Sequence, residues 1–330
     1  REEQAGAAVD AAGNLPPVSF LAVSGGGDDG AFGAGLLVGW TENGTRPEFK
    51  VVTGTSTGAL TAPFAYLGPD YDDELRDVYT KISAADIYEE RSFLAALFDD
   101  ALADTTPLQA TIAKHVNEQF MADLAAAYAE GRFLLIGSTD LDARRPVIWD
   151  IGAIASSGAP QALDLIRKIL VASAAVPGAF PPVMIDVVAD GQPYQEMHVD
   201  GGAISQVFIY PTRLNVAQVS QEYGIKRERH AYIIRNSRLD AEWASTERQT
   251  LDIIGRAISS LIQSQGVGDL DRMYIQTQRD GVDYNLAYIG SDFEHAGGGD
   301  FDPGYMNALF DYGYALGKAG RTRWLGRRPH

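Results

Sequence analysis

The apolar positions along this chain change period repeatedly, and each change marks an element. Residues 18–24 (Val-Ser-Phe-Leu-Ala-Val-Ser) and 49–53 (Phe-Lys-Val-Val-Thr) are rich in β-branched and aromatic residues, which predicts strands. Residues 31 to about 43 have helical character, and 57–67 continue from the second strand as another helix, with Pro63 expected to kink it. Strand, glycine loop, helix and strand in that order make a βαβ unit with a parallel sheet. The middle of the chain is mainly helical. Residues 74–82 and 92–102 are amphipathic, and 107–129 reads as one long helix.

Strand character returns at 132–139 and 146–149, followed by a helix over 160–174. Residues 184–188 and 194–199 flank Asp190-Gly191 as the arms of a hairpin, and the second arm runs into Asp200-Gly201-Gly202. Beyond it the pattern gives a helix at 212–222, a strand at 230–236, and a long helical stretch at 246–278. A strand at 284–289, a loop holding Gly297-Gly-Gly299 and a last helix at 304–318 complete the series. No repeat or domain linker interrupts it, so 18–320 is expected to be a single α/β domain with helical insertions. Residues 1–17 are Ala/Gly-rich and end in Pro16-Pro17, as a loose leader or tether would. Residues 321–330 form a basic tail with four arginines and Trp324.

Composition narrows the function classes. The 330 residues are 45% hydrophobic and 22% charged, enough for a sizeable core. No apolar run approaches the ~20 residues of a membrane span. A formal charge of −17 argues against nucleic acid as a partner and against broad adsorption to anionic membranes. The absence of cysteine removes disulfides, cysteine metal sites and thiol nucleophiles. The leader suits a cell-envelope protein whose signal or lipid anchor has been removed, which is favoured over a cytoplasmic one. The basic tail would suit a peripheral foot on a membrane as well as a solvated terminus.

The residue pattern with most chemical content is Gly54-Thr-Ser-Thr-Gly58, a G-x-S-x-G sequence between a strand and a helix. A serine on such a turn exposes its Oγ, and the following helix aims its N-terminal amides at any anion formed there. One strand earlier, Gly25-Gly-Gly-Asp-Asp-Gly30 satisfies the dinucleotide pattern G-x-G-x-x-G, but Asp28 and Asp29 would repel a pyrophosphate. The acid expected at the end of the second strand is also missing. The same loop could instead serve as an oxyanion hole, with Gly25, Gly26 and Gly27 presenting uncluttered amides beside Ser56. Asp70-Tyr-Asp-Asp-Glu74 lacks the glycine and closing glutamate of a calcium loop, and reads as a solvated helix start. No metal or organic cofactor is called for.

A base remains to be found. Of the five histidines, His198 is the best placed, two residues before Asp200 and on the same side of its strand. Asp200, at a strand end before two glycines, could take a hydroxyl proton directly. Spacing alone does not separate it from Asp140, Asp150 or Asp186.

Four blocks together resemble the patatin-like phospholipases: the loop at 25–30, G-x-S-x-G at 54–58, Ala172-Ser-Ala-Ala-Val-Pro-Gly-Ala-Phe-Pro-Pro182, and Asp200-Gly-Gly202. They occur in the family's order over about 20–202. The resemblance implies a three-layer α/β fold with a central, mostly parallel sheet flanked by helices. It also implies a lipid acyl hydrolase of phospholipase A, lysophospholipase or carboxylesterase type. Ser56 would map to the nucleophile, Asp200 to the base, and Gly25 to Gly27 to the oxyanion hole, while the 172–182 block would pack beside the site. The family commonly carries Arg or Lys where this chain has Asp29. That departure makes Asp29, with Thr57 and His198, a candidate for substrate or supporting contacts. Two alternatives stay open: a catalytically weak or inactive lipid-binding scaffold on the same fold, and a Ser–His hydrolase.

Overall fold

The computed structural model describes residues 9–90, 103–240, 250–295 and 299–320. In chain order its strands are β1 (Val18–Val23), β2 (Phe49–Thr55), β3 (Glu89–Glu90), β4 (Ala103–Asp104), β5 (Phe133–Asp140), β6 (Arg145–Asp150), β7 (Val183–Ala189), β8 (Gln192–Asp200), β9 (Arg229–Arg235) and β10 (Asp283–Tyr288). The helices are α1 (Gly30–Asn43), α2 (Thr57–Leu67), α3 (Asp72–Thr80), α4 (Thr106–His115), α5 (Glu118–Ala129), α6 (Ile151–Ala155), α7 (Ala162–Ala174), α8 (Val216–Glu222), α9 (Thr250–Asp280) and α10 (Pro303–Lys318).

Five strands, β10-β9-β1-β2-β5, run parallel, and β6, β7 and β8 add antiparallel pairings. Successive residues of the central strands feed two separate cores. Leu21, Val23, Tyr232 and Ile234 face one with α1, α2 and α7, while Ala22, Ala231 and Ile233 face the other with Leu270 and Met273 of α9. A sheet covered on both faces explains why its strands read as apolar runs, and gives the expected three layers.

The edge of β5 decides where the site forms. β2 pairs with residues 133–137 of β5, β6 with 135–140, and β8 with 138–140. Because β6 overlaps both of the others, β2 and β8 must share the opposite edge. They meet there end to end, with Thr55 beside Gly137 and Asp200 beside Ser138. The residue after β2 and the last residue of β8 are thereby brought together.

Helix α1 is buried from Gly30 to Trp40, so it carries no polar face. It lies backbone to backbone on α10. A Cβ at Gly35 would sit 2.0 Å from Phe310 O, and one at Gly313 would sit 2.2 Å from Phe32 O. Such an approach fixes the start of α1, and with it the loop before it, relative to the start of α10.

Most expected elements are present with ends shifted by a few residues, and Asp190 and Gly191 both take the positive φ of a tight hairpin turn. Pro63 lies inside α2. Two boundaries differ for one reason. Residues 107–129 are two helices, because the Asn117 side chain accepts from Phe120 N at 3.0 Å and starts α5 afresh. The helix expected from 212 begins at Val216, where Asn215 accepts from Gln218 N at 2.8 Å. The acidic run at 70–74 does open a helix, but Asp72 is buried and paired with Arg46 at 2.7 Å instead of solvated. At the end of the leader, Leu15 N donates to Lys226 O at 2.8 Å. The helix expected at 92–102, the tail 321–330, residues 1–8 and Gly297-Gly298 lie outside the described residues.

Candidate active site

Ser56 stands between β2 and α2 with φ 56° and ψ −129°, a conformation a residue with a side chain rarely adopts. Holding it there costs about 1–3 kcal/mol, which the surrounding contacts must offset. Close approach explains the flanking glycines: a Cβ at Gly58 would lie 2.3 Å from Val23 O, and one at Gly54 would lie 2.4 Å from Gly58 O. The Ser56 N–H donates to Ser173 Oγ at 3.0 Å, and Ser173 Oγ donates to Gly137 O at 2.6 Å. The side chain of Ser56 reaches a cavity of about 590 Å³ lined also by Gly27, Thr57, Tyr88, Phe180 and Phe301.

Asp200 is buried behind that cavity. Its Oδ1 accepts from Gly202 N at 2.6 Å, while its Oδ2, also buried, has no hydrogen-bond partner. Among the described residues, no cation accompanies it. Burial pushes its pKa up to about 6, against the opposing pull of the Ser56 hydroxyl and the Gly202 amide. The carboxylate is therefore ionised at neutral pH, with the Ser56 hydroxyl close enough to favour its charged form. The Asp200 N–H donates to Ala175 O at 2.8 Å, so residues 173–175 anchor the backbone of both Ser56 and Asp200.

The glycine loop lies against the same serine, where a Cβ at Gly25 would fall 3.0 Å from Ser56 Cβ. Gly25 N itself donates to Gln206 O at 3.2 Å. Among the described residues, the Gly26 and Gly27 amides have no protein acceptor. Of the three expected donors, Gly25 is thus already committed and two remain available.

A family model for patatin-like phospholipases matches residues 21–212. The chain belongs to that family. No curated protein matches it. Among solved structures it is similar to VipD from Legionella pneumophila, at 11% identity over 95% of this chain and 70% of that one, with a TM-score of 0.40. It is also similar to the type III effector ExoU, at 14% identity over 93% of this chain, with a TM-score of 0.25. ExoU in complex with SpcU, from Pseudomonas aeruginosa, matches over 81% of this chain with 14% identity and a TM-score of 0.20. The chain spans about half the length of ExoU, covering 54% and 52% of the two chains.

The remaining sequence candidates divide. His198 is fully buried, with Nδ1 3.0 Å from Ser138 Oγ and Nε2 3.3 Å from Glu196 Oε2, and it packs on Trp149. Both ring nitrogens are engaged in the wall of the sheet. Thr57 bonds through Oγ1 to Tyr79 Oη at 2.8 Å and lines the cavity. Asp29, at the position where patatin-like enzymes commonly carry a cation, turns away to accept from Tyr305 Oη at 2.5 Å. Burial lowers the pKa of Arg235 to about 10, and Asp269 and Asp29 oppose that shift. The carboxylates that line the cavity are Asp28 and Asp300.

Two supporting residues escaped the sequence reading. Asn236 is fully buried beneath the glycine loop. Its Nδ2 donates to Ser24 O at 2.9 Å, its Oδ1 accepts from Gly33 N at 3.0 Å, and its N–H donates to Ser24 Oγ at 2.9 Å. It clamps both ends of the loop. Gln206 donates from Nε2 to Gly202 O at 3.0 Å while its backbone carbonyl holds Gly25, tying the Asp200 turn to the loop. Asp269 fixes Gln206 in turn, accepting from its N–H at 2.7 Å. An isolated Asn or Gln after a strand carries no local signal for such roles.

Proposed function

We propose that the protein is a serine-dependent lipid acyl hydrolase that works through a Ser56–Asp200 dyad. The observation that carries this reading is a strained serine at a mostly carbon-lined cavity, backed by a buried carboxylate with one unpartnered oxygen. Asp200 Oδ2 takes the Ser56 hydroxyl proton as Oγ attacks the ester carbonyl, and the Gly26 and Gly27 amides receive the oxyanion. The C–O bond to the alcohol then breaks, and Asp200 returns the proton to the leaving oxygen. Water next gives its proton to Asp200 and attacks the acyl-serine carbonyl. The carboxylic acid departs as Ser56 recovers its hydrogen. His198 takes no part, because its nitrogens are already engaged.

The test is turnover of a chromogenic short-chain ester and of a lipid panel read by mass spectrometry, for wild type and Ser56→Ala. Loss of about 10³-fold or more in the variant supports the reading. Equal turnover in both proteins overturns it, and no turnover in either leaves a non-catalytic lipid binder as the better account.

A further inference from the structure

A second, narrower void lies behind the reactive cavity and encloses about 50 Å³. Its walls are nearly all carbon, drawn from residues such as Pro63, Val78, Ile82, Ile112 and Met306. The polar atoms there are already satisfied or neutral. Thr57 and Tyr79 bond to each other, and Thr111 Oγ1 donates to Asp86 O at 3.1 Å. Burial, then Lys114, lowers the pKa of His115 below its usual value, so the imidazole is uncharged at neutral pH. Among the described residues, no Lys or Arg lines either void to receive a phosphate head group.

Thr57, Leu60, Ile87, Leu108 and Phe301 line both voids, so they form the wall between them. Phe301 is the unusual member. Its φ is +55°, costly for an aromatic residue, and its N–H donates to Asp28 Oδ2 at 3.1 Å. Asp28 belongs to the glycine loop and lines the reactive cavity. Its pKa is raised, chiefly by burial, with the Phe301 amide opposing. One carboxylate thus links the loop beside Ser56 to the strained backbone of the partition.

We propose that the inner void receives the terminal carbons of the substrate's acyl chain, that the Phe301 ring sets the chain length accepted, and that Asp28 holds that ring in position. This rests on the proposed attack of Ser56 on an acyl ester. The chain enters past Thr57, next to Ser56 in sequence, and its far end passes the shared wall beside Phe301 into the inner void. Each methylene buried as far as the end of the inner void raises kcat/KM about fourfold, and methylenes beyond that end bring no gain.

The experiment compares kcat/KM over p-nitrophenyl esters of increasing chain length for wild type, Phe301→Ala, Asp28→Ala, Asp28→Asn and Val78→Phe, with circular dichroism confirming the fold of each. In wild type the rate is expected to climb to a break. Phe301→Ala moves the break to longer chains, and Asp28→Ala moves it the same way by less. Asp28→Asn keeps an acceptor for the Phe301 amide and stays with wild type. Val78→Phe fills the inner void and moves the break to shorter chains. A break at one length in all five proteins overturns the proposal.

The same length series run as fatty acids displacing a fluorescent fatty acid from Ser56→Ala protein, with and without Phe301→Ala, separates binding from chemistry. A break that depends on Phe301 there, with no ester turnover in wild type, sinks the hydrolase and keeps the pocket. Ester turnover with a break that never moves sinks the pocket alone.

Discussion

The segment from β1 to Gly202 and the segment after it contribute to one site in different ways. The first supplies every group proposed to touch the reacting atoms: the Gly26 and Gly27 amides, Ser56 and Asp200. The second supplies supports that reach back across more than a hundred residues, as Asn236 does to Ser24 and Gly33, and Tyr305 to Asp29. Gln206 stands at the junction and joins the Asp200 turn to Gly25. Chemistry is thus written in short contiguous motifs, while the precision of its geometry comes from distant single residues. Substitutions in the first segment should abolish turnover without unfolding the protein, and those in the second should weaken turnover and stability together.

The largest effects test the first half of that contrast. Asp200→Asn should lower kcat by about 10³-fold or more, as loss of the base does in related dyads and triads. It should also stabilise the protein. The Asp200 pKa is raised from 3.8 to about 6 in the fold, so the native state holds its proton more tightly than the unfolded chain. Stability is therefore lost as pH rises from about 4 to about 6, and the full penalty of about 3 kcal/mol stands at neutral pH. Urea unfolding at pH 7 should show the variant more stable than wild type, and the difference should vanish near pH 4. A destabilised Asp200→Asn would mean the carboxylate is a structural asset, and the contrast between the two segments would fail.

A smaller effect belongs to Asn236→Ala. Releasing both ends of the glycine loop should cost about 10- to 100-fold in kcat with little change in KM, because the amides are displaced from the transition state more than from bound substrate. It should also cost about 1–3 kcal/mol of stability, since buried partners are left unpaired. A loss confined to stability, with kcat intact, would make Asn236 a core residue and nothing more. Tyr305→Phe should have the smallest effect. It removes one hydrogen bond from Asp29 and should cost about 1–2 kcal/mol in urea unfolding, with less effect on kcat than Asn236→Ala. Equal kcat losses in the two would erase the difference between clamping the loop and merely abutting it.

This division also explains what could be read in the sequence. The parallel core, the hairpin at Asp190-Gly191 and the serine turn follow from local pattern, because backbone conformation fixes the residue types they need. Asn117 and Asn215 were hidden starts: each lies inside a segment with helical composition, and only its side-chain bond shows that a helix begins there. Asp29 read as a charge facing the site, yet its partner Tyr305 arrives from a distant segment and holds it by a hydrogen bond. His198 had the right spacing and the wrong neighbours, since Ser138 and Glu196 take both its nitrogens. The end-to-end meeting of β2 and β8 on one edge of β5 is a property of topology, and no window of sequence contains it.

The central claim is that Asp200 activates Ser56 directly, and the rate of fluorophosphonate labelling against pH tests it most directly, with the modified residue located by mass spectrometry. The adduct should fall on Ser56. Its rate should be level above pH 6, fall about tenfold per unit below it, and drop by about 10³-fold in Asp200→Asn. An adduct elsewhere, or Ser56 labelling at an undiminished rate in Asp200→Asn, would contradict the account.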